Sequence, residues 1–218
     1  LPVDAKKTLM GNRFFLPVQE GYQDNSTSWG HDVEAAKKLL DGAGWVAGSD
    51  GVRAKDGTKL ELVMTIPSNA PVATNEANLL QKQLGEVGIK LSVSTVEIDK
   101  YFPEYINKKN YALTAFTTEK TQYPLANAGQ YYASTSQSNY TGLSVPEVDQ
   151  YVAKIGSTPD GAERNKLANE LDKILWENVF NIPIYQRMQL TAVPKTLRNF
   201  GAQGLASFRP ERIGYVKS

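Results

Sequence analysis

The run from Leu60 to Val96 restricts the fold of this chain more than any other segment. Leu60-Glu61-Leu62-Val63-Met64-Thr65-Ile66 alternates closely enough for a strand, and Pro67 to Pro71 breaks it. Ala73 to Val87 then places Ala77, Leu80, Leu84 and Val87 at helical spacing, and Gly88 ends the run. Ile89-Lys90-Leu91-Ser92-Val93-Ser94-Thr95-Val96 follows with a period of two. Strand, crossover helix and strand make a βαβ unit, which lays its two strands parallel in one sheet. The fold class is therefore α/β, a mixed sheet flanked by helices.

The neighbouring segments extend that frame. Asp32 can cap a helix whose apolar face is Val33, Ala36, Leu39, Leu40 and Ala43, with Glu34 and Lys38 paired on its surface. Gly48-Ser49-Asp50-Gly51 and Lys55-Asp56-Gly57 read as tight turns around a small hairpin. Asp99 to Asn107 predicts a helix and Tyr111 to Phe116 a third strand. Residues 117–145 are polar and rich in Tyr. Ser144 and Glu147 have the spacing of a capping box for a helix burying Val148, Tyr151, Val152 and Ile155. A further helix after Asp160 buries Leu167, Leu171, Ile174 and Leu175. Short strands are expected at Ile182–Tyr185, Gln189–Val193 and Gly214–Val216, and a short helix near Ala5–Met10. Residues 1–30 read as an irregular covering segment, and no repeat or Pro/Ser-rich linker divides the chain.

Composition then removes whole classes of chemistry. With no Cys and a single His (His31) among 218 residues, a Cys nucleophile, a Cys-ligated metal and a His-rich metal site are excluded. No G-x-S-x-G or Walker-type sequence is present, and no pair of carboxylates has the context of acid–base catalysis. With 24 basic and 23 acidic residues and no basic run, nucleic acid is a poor partner. No apolar stretch approaches the roughly 20 residues of a membrane span.

In open α/β sheets, ligands bind outside the carboxyl ends of parallel strands. If strands 60–66 and 111–116 are parallel, Pro67-Ser68-Asn69-Ala70-Pro71 and Thr117 to Pro124 open onto one edge. The second loop carries Glu119, Lys120, Gln122 and Tyr123: both charges, an amide and an aromatic hydroxyl. That set either binds a zwitterion or a peptide backbone, or simply solvates the loop.

Several segments together resemble the family 5 extracellular solute-binding proteins of ABC importers, of dipeptide, oligopeptide and nickel-binding type. Asp32-Val33-Glu34-Ala35-Ala36-Lys37-Lys38-Leu39-Leu40 with Ala43-Gly44-Trp45 resembles "D-x-E-K-A-K-x-L-L-x-E-A-G-W". Asp50-Gly51-Val52-Arg53 with Lys55-Asp56-Gly57-Thr58 is similar to "D-G-V-R-x-K-D-G-K", and Leu80 to Leu91 to "I-Q-x-Q-L-K-E-I-G-I-K-V". Asn139-Tyr140-Thr141-Gly142 with Pro146-Glu147-Val148-Asp149 resembles "N-x-x-G-Y-S-N-P-E-V-D", and Ile182-Pro183-Ile184-Tyr185 resembles "I-P-L-Y". Order and spacing make the match specific from about residue 30 to about residue 193.

The resemblance implies a periplasmic-binding-protein-like lobe. Residues 1–218 would be the single carboxyl-terminal lobe of a two-lobed protein that closes on its ligand by hinge motion, residues 194–218 returning toward the other lobe. It implies a peptide or small-molecule ligand, ABC permease subunits as partners, no catalysis, no cofactor or metal, and a monomer. It implies an extracytoplasmic location, in the periplasm or held at the outer membrane face as a lipoprotein by an anchor outside this chain. In peptide-binding members a "W-x-x-D-x-x-x-P" segment carries the acid that meets the peptide α-amino group. Here Phe116 takes the aromatic position and Glu119 comes closest to the acid, with Lys120 beside it and Pro124 one residue further on. Asn69, Asn139, Tyr140 and Tyr185 are the secondary lining candidates. The alternative within the same fold is an envelope lipoprotein with a regulatory or scaffolding role, for example in glycolipid synthesis.

Overall fold

The computed structural model describes residues 8–187, 190–207 and 209–216. Two compact units divide the chain: Trp29–Thr118 with Gln137–Gly142, and the described parts of Leu1–Ser28, Glu119–Ser136 and Leu143–Ser218.

The unit beginning at Trp29 opens with helix α1 (Val33–Gly42), capped by the Asp32 carboxylate, which accepts from the Ala35 amide at 2.9 Å. Its surface ion pair is Glu34–Lys37 at 2.9 Å, three residues apart rather than the expected four to Lys38. Strands β1 (Val46–Ala47), β2 (Arg53–Lys55) and β3 (Thr58–Lys59) form an antiparallel meander around the expected turns. Then come β4 (Glu61–Pro67), α2 (Pro71–Glu86) and β5 (Lys90–Val96), with β4 and β5 parallel over their full length, as the period change predicts. Helix α2 starts two residues before the expected Ala73 because Pro71 fits a first-turn position, where no amide hydrogen bond is needed.

Arg53 joins the ends of both helices. Its guanidinium donates to the carbonyl of Val87 at 2.8 Å and of Trp45 at 2.6 Å, and pairs with Asp41 at 2.5 Å. Buried carbonyls beyond two helix ends are thereby satisfied by one side chain. Gly88 terminates α2 at φ +84, where a Cβ would also stand 2.8 Å from Arg53 Cγ.

After α3 (Ile98–Lys100) the chain enters a π-helical turn, Tyr101–Ile106, in place of the regular helix expected over 99–107. Pro103 lacks the amide an α-helix would use there, and Asn107 reaches back to the Phe102 carbonyl at 2.9 Å. Strand β6 (Leu113–Thr114) is shorter than the expected 111–116. It pairs parallel with β4, giving the order β5-β4-β6. Beyond Thr114 the Ala115 carbonyl accepts from the Tyr101 hydroxyl at 3.1 Å. Met64, Ile66, Leu91, Ala73 and Ala77 form this unit's core between sheet and α2.

The other unit is built on helices. α4 (Ala128–Tyr132), which the polar, Tyr-rich composition of 117–145 does not predict, packs on α5 (Pro146–Ser157), and α5 packs on α6 (Gly161–Glu177). Phe14, Phe15, Tyr132, Val148, Ile155, Leu171, Leu175 and Phe180 are buried together. The expected capping box at Ser144 and Glu147 does not form. Val145 is extended (φ −123, ψ 109), as a residue before proline prefers, and Pro146 begins the helix without a side-chain cap. Asp160 does cap α6, accepting from the Glu163 amide at 2.7 Å.

Ile182–Tyr185 does not form a strand: an isolated antiparallel bridge joins Tyr185 to Leu9, since Pro183 offers no ladder amide. Residues 190–193 are not a strand, and Gln189 lies outside the described residues, as do residues 5–7 of the helix expected near Ala5–Met10. The strand expected at Gly214–Val216 forms as β8 (Gly214–Tyr215), and it pairs antiparallel with β7 (Leu197–Arg198), a strand the sequence pattern does not predict. Parallel and antiparallel pairings thus occupy separate sheets within one α/β chain.

Candidate functional site

The parallel pairing of β4 and β6 brings their following loops to one carboxyl edge in the unit beginning at Trp29. Asn69 stands in the first loop at φ +57, a left-handed conformation that asparagine tolerates better than most residues. Phe116 stands two residues beyond β6, and aromatic rings continue from it on both sides. Its ring meets Tyr140 edge-on at 5.4 Å and Phe102 at 5.6 Å, and Phe102 in turn meets Tyr101 at 5.4 Å. Phe102 and Phe116 are 41% and 36% exposed. The Tyr101 hydroxyl, 2.6 Å from Thr114 Oγ1, fixes the point from which this segment leaves the sheet. Asn139 is buried, its side-chain oxygen accepting from Thr141 Oγ1 at 2.7 Å, so it shapes the turn that presents Tyr140. The Tyr140 carbonyl accepts from the Tyr111 hydroxyl at 2.5 Å.

The remaining candidates belong to the helical unit. Glu119 is exposed, and among the described residues no hydrogen bond or ion pair engages its carboxylate. Lys120 does not turn to Glu119. It is half-buried, and its ammonium donates to the backbone carbonyl of Arg13. Gln122 lines a cavity of about 390 Å³ with Phe15, Gln19, Glu20, Arg164 and Asn165. Tyr123 is 68% exposed, and Tyr185 half-exposed beside its bridge to Leu9. Phe116 and Tyr140 are thus in contact in one unit, while the charged pair Glu119 and Lys120 sits in the other with the two side chains engaged differently.

Beneath the Glu119 segment lies a charge network that motif reading misses. Arg13 pairs with Asp172 at 3.1 Å, both side chains buried, and donates to Asn181 Oδ1 at 2.7 Å. Its guanidinium lies 4.2 Å above the Trp176 ring. Asn25 completes the Asp172 carboxylate at 2.8 Å. Burial lowers the pKa of Arg13, against the pull of Asp172. Burial also lowers Lys120, with Asp172 raising and Arg13 lowering it further. Burial pushes the Tyr132 phenol up to about 12. The sequence signal was a lone Asn12-Arg13 pair opening the apolar run Phe14-Phe15-Leu16, charge in front of residues that must be buried. Tyr101 and Phe102 carried no signal beyond following a strand.

Among the described residues no group of three or more His, Asp or Glu side chains is arranged to hold a metal ion, and no helix is long and apolar enough to cross a membrane.

The family model for bacterial extracellular solute-binding proteins, family 5 Middle, matches residues 9–152. The oligopeptide-binding protein OppA of Mycobacterium tuberculosis (strain ATCC 25618 / H37Rv) is 31% identical over 208 residues, covering 95% of this chain and 35% of that protein. The chain therefore spans about a third of the length of that relative. Among solved structures, the periplasmic EDTA-binding protein EppA superposes with a TM-score of 0.73 at 26% identity, over 82% of this chain and 34% of that one. The oligopeptide-binding protein AppA from Bacillus subtilis, in complex with a nonapeptide, superposes with a TM-score of 0.68 over 97% of this chain and 44% of that one. At 18% identity, AppA speaks to the fold alone.

Proposed function

Because the chain belongs to the bacterial extracellular solute-binding proteins of family 5, we propose that it is the carboxyl-terminal lobe of an ABC importer's substrate-binding protein, and that its ligand is a peptide or a related polar solute. The protein binds and releases by hinge closure and performs no chemistry. It works outside the cytoplasm, as a monomer, and delivers its ligand to permease subunits. The names of the similar proteins agree with a polar, charged ligand: OppA is an oligopeptide-binding protein and EppA an EDTA-binding one.

The observation that carries this reading is the Glu119 carboxylate. It follows β6 at the position where the family resemblance expects the acid for a peptide α-amino group, and it is exposed with no cation engaging it among the described residues. An ammonium brought to it gains a charge-assisted hydrogen bond.

Calorimetric titration of the full-length protein with a mixed pool of tri- to pentapeptides, and with the same pool N-acetylated, tests the assignment. Glu119→Gln should weaken binding of the free-amine pool about tenfold or more, the effect of losing a hydrogen bond to a charged group. It should leave the acetylated pool unchanged. Equal affinity of wild type and variant for the free-amine pool would sink the role given to Glu119.

A further inference from the structure

Consecutive residues Glu119 and Lys120 have opposite charges and opposite destinations. An ammonium one residue from a carboxylate is well placed to neutralise it, yet the Lys120 side chain runs inward and donates to the Arg13 carbonyl. That carbonyl belongs to a fixed residue. The Arg13 amide donates to Asp172 Oδ1 at 3.1 Å, and its guanidinium is held by Asp172, Asn181 and the face of Trp176. A second tie lies one residue on, where Gln19 Nε2 donates to the Thr121 carbonyl at 3.3 Å. Gln19 is held in turn by the Leu16 amide, which donates to its Oε1 at 2.8 Å. The segment 119–123 has no regular secondary structure of its own, so these side-chain ties carry its placement.

We propose that Lys120 is a positioning residue for the candidate ligand site. By donating its ammonium to the Arg13 carbonyl it anchors the segment and leaves the Glu119 carboxylate without a cation among the described residues, open to a ligand cation. The proposal rests on the reading of Glu119 as the acid that meets a ligand ammonium. The buried Asp172 carboxylate favours the inward course of Lys120, since it raises the lysine's affinity for its proton where burial lowers it.

The sign of the effect separates this from its rivals. In the full-length protein, Lys120→Met should weaken the free-amine peptide pool about tenfold, leave the N-acetylated pool unchanged, and speed amide hydrogen exchange at 119–123. Lys120→Arg, whose guanidinium can reach the same carbonyl, should restore most of the affinity. Tighter binding of the free-amine pool by Lys120→Met would overturn the proposal, because it would mean that Lys120 neutralises Glu119. Equal loss for both pools would overturn it too, reducing Lys120 to a general structural residue. Should Lys120→Met fail to fold, Gln19→Leu removes the second tie and must shift the two pools in the same unequal way. Glu119→Gln run alongside keeps the two readings apart. If it is silent, the amine-binding reading falls and the proposal falls with it, whereas unequal effects in Glu119→Gln with none in Lys120→Met overturn the proposal alone.

Discussion

Tyr132 shows how a single side chain couples this fold to pH. Its phenol is buried among Phe14 and Phe180 and is hydrogen-bonded to the Asn181 side chain. In the folded chain it keeps its proton up to about 12, against about 10 for an unfolded tyrosine. The folded state therefore holds this proton more tightly. The stability it confers is complete below pH 10 and is lost as the pH rises from about 10 to about 12, an effect of about 2–3 kcal/mol. Tyr132→Phe should cost about 1 kcal/mol at neutral pH for the lost hydrogen bond and flatten this part of the alkaline decline, as read from urea midpoints across pH. Lys120, lowered by burial, works in the opposite direction, so the comparison with Tyr132→Phe isolates the phenol. An unaltered alkaline slope in the variant would contradict the assignment.

At the scale of elements, the caps divide into those that side chains make and those that proline makes. Asp32 and Asp160 each accept the amide three residues on, while α2 and α5 begin on Pro71 and Pro146 with no side-chain cap. Asp160→Ala should destabilise the helical unit by about 1 kcal/mol, seen as a lower urea midpoint at unchanged slope. Ser144→Ala should be neutral, because Val145 and not Ser144 occupies the cap position. A loss at Ser144 matching that at Asp160 would restore the capping box that the extended Val145 rules out. These elements also show where pattern reading holds. The period-2 strands and the period-3.6 helix of the β4-α2-β5 unit were legible because their burial is local and repetitive. The π turn at Tyr101–Ile106 and the two-residue β6 were not. The π turn hangs on one missing amide at Pro103, which leaves the periodicity unchanged, and β6 depends on its pairing with β4 and on the Tyr101 hydroxyl that takes the Ala115 carbonyl.

At the scale of the whole molecule, the lobe assignment makes its own prediction. The chain holds two compact units with their own cores, so it should fold when expressed alone. It should bind the free-amine peptide pool far more weakly than the full-length protein, because a ligand held by one side of a cleft stays largely solvated. Equal affinity, measured by calorimetry, would show that these residues form a complete site and would remove the need for a second lobe.

The sequence by itself determined the α/β class and the parallel direction of β4 and β5, which follow from local periodicity, and the family, through the resemblance of several segments taken in order. Only the tertiary structure decided where Lys120 sends its charge, that Arg13 and Asp172 form a buried pair across 159 positions of sequence, and that Asn139 serves a turn. A side chain's partner is set by which polar groups burial leaves unsatisfied nearby. That competition is settled only when distant segments pack.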